Sequence, residues 1–105
     1  MSNVERVFGL PVEGNVVGLC LDPNDKILVV GMDSHVLAYH LDDLIADSNS
    51  KPFWKYTTTG LKKIQQISVR SLDTDVLQCV CLLDECQIQC LKIDIENQNR
   101  ESILN

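Results

Sequence analysis

The amino-acid sequence predicts an all-β fold of antiparallel strands, and three observations support this prediction. Short apolar segments follow one another at nearly even spacing along the 105 residues. Clusters of Pro, Gly, Asp, Asn and Ser, which favour turns, separate these segments. None of the segments keeps the 3.6-residue spacing of an amphipathic helix for more than about one turn. With 45% hydrophobic residues, the chain can bury one domain-sized core.

Four strands are predicted in the first half of the chain, each followed by turn residues. They comprise residues 4–10, 16–21, 26–32 and 36–41. The break after the first strand contains Pro11 and Gly14, and the second break reads Asp-Pro-Asn-Asp. The third break is Asp-Ser-His at 33–35, and the fourth is a long polar stretch over 42–52.

Four more strands are predicted in the second half. They comprise residues 53–58, 64–69, 76–83 and 87–95. The breaks between them are residues 60–63, which begin with a glycine, residues 71–75, and Asp-Glu-Cys at 84–86. The segments at 27–30 and 76–83 are apolar at nearly every position, so we expect both faces of these strands to be covered, as inside stacked sheets.

The two halves of the chain are similar to each other. Val76 lies 49 positions after Ile27, and Ile88 lies 52 positions after Val36, with the apolar segments and turns in the same order. A period of about 50 residues indicates repeated units that bury their faces against one another.

The first half resembles a WD-repeat blade in the order and spacing of its residues. Gly14-Asn15 precedes the first strand, an Asp-Pro-Asn-Asp turn follows it, and Asp33 begins the next turn. Asn15 stands where that family usually has His, and Tyr39-His40 stands where it usually has Trp-Asp. The resemblance implies a structural role for Gly14, Asn15, Asp33 and Tyr39, with the buried hydrogen-bond network of the family reduced to Asp33, Asn15 and Tyr39.

The resemblance also implies a domain organisation. Residues 16–58 would form one four-stranded antiparallel blade of a β-propeller, 64–95 a second and incomplete blade, 4–10 the outer strand of a preceding blade, and 96–105 a polar tail. The expected fold is therefore an incomplete β-propeller of about two blades, because closure takes about four to eight.

The function implied by the resemblance is a non-catalytic protein–protein interaction or scaffold module. Candidate partner-binding residues are Trp54 and Tyr56, which share one face of an extended strand, and His35. Packing between neighbouring blades is the alternative role of the two aromatic residues. The alternative function is structural: a truncated isoform or fragment of a larger propeller, completed by other blades or a partner, with association through open blade edges.

No catalytic, cofactor or metal site is predicted. Cys79 and Cys81 lie within one strand, without a neighbouring His, so we expect buried small side chains rather than zinc ligands, and Cys86 in the turn is the expected exposed thiol. Neither histidine has the sequence context of a hydrolytic triad. The aspartates lack an EF-hand pattern and are interpreted as solvated turn residues.

Charge and cysteine content bound the partners and the compartment. The net charge of −6 and the pI of about 4.6 disfavour nucleic acid and anionic membranes as partners. No apolar stretch approaches the roughly 20 residues of a membrane span. An odd number of cysteines, five, and no visible signal peptide predict a cytoplasmic protein, with the nucleus as a second possibility.

Overall fold

The computed structural model describes residues 7–58, 60 and 62–95, which form two antiparallel sheets packed face to face. The first sheet has the order β1-β2-β3-β4. Its strands are β1 (Val16–Leu21), β2 (Ile27–Met32), β3 (His35–His40) and β4 (Trp54–Thr57). The second sheet has the order β5-β6-β7. Its strands are β5 (Ile64–Asp73), β6 (Val76–Leu83) and β7 (Gln87–Asp94).

The described part of the chain therefore confirms the all-β, antiparallel prediction, with the addition of one short helix. That helix, α1 (Leu41–Ala46), lies inside the polar stretch that was predicted as a break. Only Leu44 of α1 is buried. A single buried residue leaves no helical spacing in the sequence, which explains why the helix was not predicted. A one-turn 3₁₀ helix, Asp84–Cys86, joins β6 to β7.

The core between the sheets depends on close approach of their backbones. Ile67 of β5 packs over Gly18 and Gly31 of the first sheet, and a Cβ atom on Gly31 would lie 2.8 Å from Cγ2 of Ile67. Glycine at these strand positions leaves the space that the isoleucine fills. The buried residues around this contact come from both sheets: Ile27, Val29, Val36, Ala38, Ile64, Leu77, Cys79, Cys81, Leu83, Leu91 and Ile93.

A second apolar cluster covers the outer face of the first sheet. It contains Val30, Met32, Leu37, Tyr39 and Leu44, with Phe8, Leu10, Val12 and Leu28 packed against it. The predicted strand at 4–10 is wrong for residues 7–10, which are not in a strand, and residues 4–6 lie outside the described residues. The amide of Val12 donates to the carbonyl of Leu10 (2.8 Å) in a tight turn around Pro11. The segment contacts the sheet through side chains instead of a backbone ladder.

The two sheets stack with their strands running in the same order from one side of the molecule to the other. β1 and β5 face each other, with Sγ of Cys20 donating to the carbonyl of Ile67 (3.6 Å). At the other side of the molecule, Nε2 of Gln89 in β7 donates to the hydroxyl of Tyr56 in β4 (2.6 Å). The start of β5 lies beside the turn between β2 and β3. There the amide of Ile64, the first residue of β5, donates to the carbonyl of Asp33 (2.7 Å).

Burial on both faces was predicted for two strands and is observed for one. In β2 five of the six residues are buried, because one face meets the second sheet and the other meets the second apolar cluster. In β6 buried and half-buried residues alternate along the strand. The half-buried face, which carries Val80 and Leu82, is turned away from the first sheet, so the prediction is wrong for that face of β6 within the described residues.

The remaining strand boundaries differ by one residue or by a local turn. β5 extends four residues beyond its predicted end because Asp73 pairs with Val76, which leaves only residues 74–75 for the turn. The carboxylate of Asp73 accepts a hydrogen bond from the amide of Thr74 (2.7 Å) in that turn. Asp, which favours turns, therefore also occurs as the last residue of a strand, where its side chain can accept a hydrogen bond from the adjacent turn.

Candidate functional site

A groove of about 340 Å³ opens where the N-terminal segment crosses the outer face of the first sheet. Its floor consists of Met32, Leu37 and Tyr39, all three of them buried in the second apolar cluster. Val12 of the crossing segment adds one apolar wall. Burial raises the pKa of the Tyr39 phenol, so this side chain is neutral at physiological pH. The floor is therefore apolar and uncharged.

The rim of the groove carries side chains of both charges and two prolines. Glu13 and Lys55 are exposed, and His35 is half-buried. Nδ1 of His35 lies 3.1 Å from Oγ1 of Thr57 on the neighbouring strand. Pro11 and Pro52 complete the rim with rigid backbone. An apolar floor under a polar rim is the usual organisation of a site that takes one apolar group and orients it by polar contacts.

His35 was predicted to lie in the break at residues 33–35, and the structure places it in a strand instead. It is the first residue of β3 and pairs with Thr57 of β4. This position holds the imidazole at the groove, where it can contact a bound group. His35 is the one candidate partner-binding residue that lies in the groove.

Trp54 and Tyr56 lie on the opposite face of β4. They are half-buried and pack against the core between the two sheets. Lys55 alternates with them and therefore points to the outer face, where it reaches the groove. The structure thus separates the two aromatic residues from His35, and their role in partner binding stays a prediction.

The four residues implied by the family resemblance are distributed around this region without forming a network. Gly14 has φ of +106°, which favours glycine, and a Cβ atom there would lie 3.2 Å from Cε of Met32. Asn15 is exposed, Asp33 is half-buried and Tyr39 is buried. Among the described residues no hydrogen bond joins the side chains of these last three. Asp33 acts through its backbone carbonyl, which holds the start of β5.

Asp22 is a structural residue that the sequence interpretation placed wrongly among solvated turn residues. Its side chain is only 4% exposed. One carboxylate oxygen accepts hydrogen bonds from the amides of Lys26 (2.6 Å) and Ile27 (2.7 Å), and the other from the amide of Asn24 (3.2 Å). Three backbone donors explain the burial of an ionisable side chain without a basic partner.

The cysteines divide into buried and exposed groups. Cys79 and Cys81 are buried with their sulfur atoms 3.9 Å apart, and this hydrogen bond together with burial raises the pKa of the Cys79 thiol. Burial also raises the pKa of Cys20. Cys86 is exposed, as predicted, and Cys90 is exposed as well. Within residues 7–58, 60 and 62–95, no group of three or more His, Cys, Asp or Glu side chains is placed to hold a metal ion.

Of the groove residues, the sequence analysis named only His35 and Tyr39. It missed the others: Pro11, Val12, Glu13, Met32, Leu37, Pro52 and Lys55. Alternation along the strand puts Lys55 on the face opposite Trp54 and Tyr56, but it does not say which of the two faces meets the second sheet. For Pro11 and Glu13 the sequence carries no such signal, because their place depends on the segment crossing the sheet instead of pairing with it.

Comparison with protein-family models, with curated proteins and with solved structures found no match. Among the helices of the described chain, none has the length and apolar character needed to cross a membrane.

Proposed function

We propose that this protein is a non-catalytic protein-interaction module of the WD-repeat type, and that the groove on the first sheet receives an apolar side chain of a partner protein. The observation that carries this proposal is the buried floor of Met32, Leu37 and Tyr39 beneath the rim of Glu13, His35 and Lys55. A side chain that enters the groove loses its contact with water, while the rim offers a cation, an anion and an imidazole to its backbone and neighbours.

The arrangement of the strands supports the comparison with propeller blades. β1 faces β5, and β4 is bonded to β7 through Tyr56 and Gln89, so the two sheets stack in the same strand order. In a propeller the outer strand of one blade likewise precedes the inner strand of the next, as β4 precedes β5 here. Residues 16–58 and 64–95 are accordingly proposed as two blade-like units.

The size of the groove limits what it contributes to affinity. Full burial of one Val, Leu, Ile or Phe side chain is worth about 1.5–3 kcal/mol, which corresponds to roughly a 10-fold to 150-fold change in Kd. A stable complex therefore needs further contacts around the rim, where a charged pair chiefly affects the association rate and the choice of partner.

The test compares two lysine substitutions. Lys55→Glu reverses a charge on the rim, and Lys51→Glu makes the same change at an exposed lysine that does not line the groove. Proteins captured by the wild-type protein are identified by quantitative mass spectrometry, purified, and titrated against all three forms. We expect one captured protein to bind Lys55→Glu at least about tenfold more weakly than wild type and Lys51→Glu with unchanged affinity. Equal binding by both variants, with unchanged thermal unfolding, would refute the assignment of the groove.

A second candidate function is structural, and a separate observation favours it. Leu19 and Leu21 on β1 and Ile88 on β7 are 57%, 45% and 61% exposed. Exposed apolar side chains at both ends of the stacked sheets fit a unit that is completed by further blades or by a partner. Sedimentation velocity over a hundredfold concentration range tests this: a monomer at every concentration with reversible, cooperative unfolding would show that the unit is self-sufficient.

A further inference from the structure

The first sheet has a free backbone edge at β1. Among the described residues, β1 pairs only with β2. The amide of Asp22, directly after β1, donates to the carbonyl of Ile27 (3.0 Å), so the residues at alternate positions before Asp22 also bond to β2. The residues between them, Leu19 and Leu21, therefore direct their backbone N–H and C=O groups away from β2, because the bonding direction alternates along an antiparallel strand.

The side chains of the same two leucines are exposed on the outer face of the sheet. Leu19 and Leu21 are 57% and 45% exposed. They lie opposite Val30 and Leu28 of β2, which belong to or pack against the second apolar cluster. A shallow apolar depression of about 340 Å³ is lined by Leu19, Cys20, Leu21 and Leu28. The apolar outer face thus continues to the free edge of β1.

The free edge of β1 lacks the charges that usually protect an edge strand. All six residues of β1 are uncharged, and the bulge near its start lies before Leu19. Residues 64–69 of β5, the strand that β1 faces, are uncharged as well. The other edge strands of the two sheets each carry a basic residue: Lys55 in β4, Arg70 in β5 and Lys92 in β7. Charged side chains on edge strands discourage pairing with another chain, and β1 has none.

The edge of β1 is complementary to a second copy of itself. Two chains with a net charge of −6 repel each other over most of their surface, which favours contact where charge is absent. When two β1 strands run antiparallel with Cys20 at the twofold axis, Leu19 of each copy lies opposite Leu21 of the other. The outward backbone groups of these leucines then face each other and can exchange both hydrogen bonds of each pair. The nearest charged residue, Asp22, is only 4% exposed, and its carboxylate is bonded to amides of its own turn.

From these observations we infer that two copies of this chain associate through β1, which joins their first sheets into one continuous antiparallel sheet. The four leucine side chains at the junction bury one another, and the free backbone groups gain partners. One short strand provides less contact than the roughly 800 Å² per partner of a standard stable complex, so we expect a reversible dimer with Kd between about 1 μM and 1 mM. The inference gives the second candidate function a specific partner. The groove has no part in it, because the two surfaces are lined by different residues.

Sedimentation velocity of the full chain tests the association. We expect the average sedimentation coefficient to rise with protein concentration, and Leu19→Lys, which places a charge at the junction, to weaken association at least about tenfold. Ile88→Lys is the matched control, since it makes the same change at an exposed apolar residue of β7, and it should leave association unchanged. Far-ultraviolet circular dichroism checks that both variants fold.

Disulfide trapping determines the register of the two strands. In the inferred dimer, the Cα atoms of position 19 in one copy and position 21 in the other lie about 5.5 Å apart, within the range that a disulfide bridges. The same position in the two copies is diagonal, about 7–8 Å apart, and lies beyond that range. Oxidised glutathione, added to a mixture of Leu19→Cys and Leu21→Cys, is expected to link the two variants to each other in preference to linking either to itself. Mass spectrometry with one variant isotope-labelled reads the linked pairs.

The possible outcomes separate this inference from the proposed functions. A dimer insensitive to Leu19→Lys, an equal loss of association in Ile88→Lys, or preferential linking of either cysteine variant to itself would each overturn the inference and leave the second candidate function standing. A monomer at every concentration would also overturn the inference, and the second candidate function fails with it only if that monomer unfolds reversibly and cooperatively. The groove is tested independently by Lys55→Glu.

Discussion

Replacement of Asp22 provides a sharp test of how the first hairpin is stabilised. The carboxylate of Asp22 accepts hydrogen bonds from the amides of Asn24, Lys26 and Ile27 and thereby closes the turn between β1 and β2. In Asp22→Ala all three acceptor contacts are lost. In Asp22→Asn the side chain keeps one carbonyl oxygen, which can still accept from the two closest amides.

The expected loss in free energy of unfolding depends on which of the three amides can bond to water instead. Asn24 and Lys26 are exposed, so solvent replaces most of what their amides lose, whereas Ile27 is only 2% exposed and its amide is left without an acceptor. A buried unpaired donor costs about 1–3 kcal/mol, and the exposed amides add a smaller amount. We expect Asp22→Ala to lower the free energy of unfolding by about 2–3 kcal/mol, and Asp22→Asn by about 1 kcal/mol through the loss of charge.

Urea unfolding, followed by the fluorescence of the single tryptophan, measures these values because Trp54 is half-buried between the sheets. Asp43→Ala is the matched control, since Asp43 is exposed in α1, and we expect a change below about 0.5 kcal/mol. An Asp22→Ala protein as stable as the Asp43→Ala protein would refute the argument that the buried carboxylate holds the turn.

Three further predictions concern buried residues of the two sheets. Gly31→Ala places a Cβ atom 2.8 Å from Cγ2 of Ile67, so we expect the free energy of unfolding to fall by about 1–3 kcal/mol in urea titrations. Ile67→Ala should cost less in that background than in the wild type, and equal costs in a double-mutant cycle would contradict the steric explanation. A short pulse of iodoacetamide on the native protein should modify Cys86 and Cys90 and spare Cys79 and Cys81, as read by peptide mass spectrometry, and native labelling of Cys79 would show that the sheets separate readily. Burial raises the pKa values of Cys20 and Tyr39 in the fold above their ordinary values of 9.0 and 10.0, so the unfolded chain loses these protons first as pH rises. The free energy of unfolding should therefore be insensitive to these groups below about pH 8 and fall above about pH 9, and an increase over that range would contradict the burial of these groups.

Local chemistry made most of the strands predictable. The bounds of β1 and β6 agree with the sequence prediction, and β2 and β7 differ from it by one residue. These strands end at clusters of Asp, Pro, Asn and Glu, whose preference for turns is a property of a few neighbouring residues. The strand predicted over residues 4–10 is wrong for residues 7–10, and helix α1 was not predicted, because both segments are positioned by a small number of apolar contacts with the sheet.

The candidate groove was only partly predictable. His35 stood out as a histidine beside a turn, and it does lie on the rim. Trp54 and Tyr56 stood out as aromatic residues, but the register of β4 directs them to the core between the sheets. Alternation predicts which side chains share a face of a strand, whereas the choice of the face that meets another sheet depends on how the sheets stack.

The sequence by itself determined the strand-rich class, the order of the strands and the repeat of about 50 residues, because each depends on apolar and turn residues close together along the chain. Only the tertiary structure decided that Asp22 is buried and that Ile67 fills the space above Gly18 and Gly31. These features join residues that are far apart in sequence or depend on what covers a turn, so they arise when the two sheets pack together and exclude water from the surfaces between them.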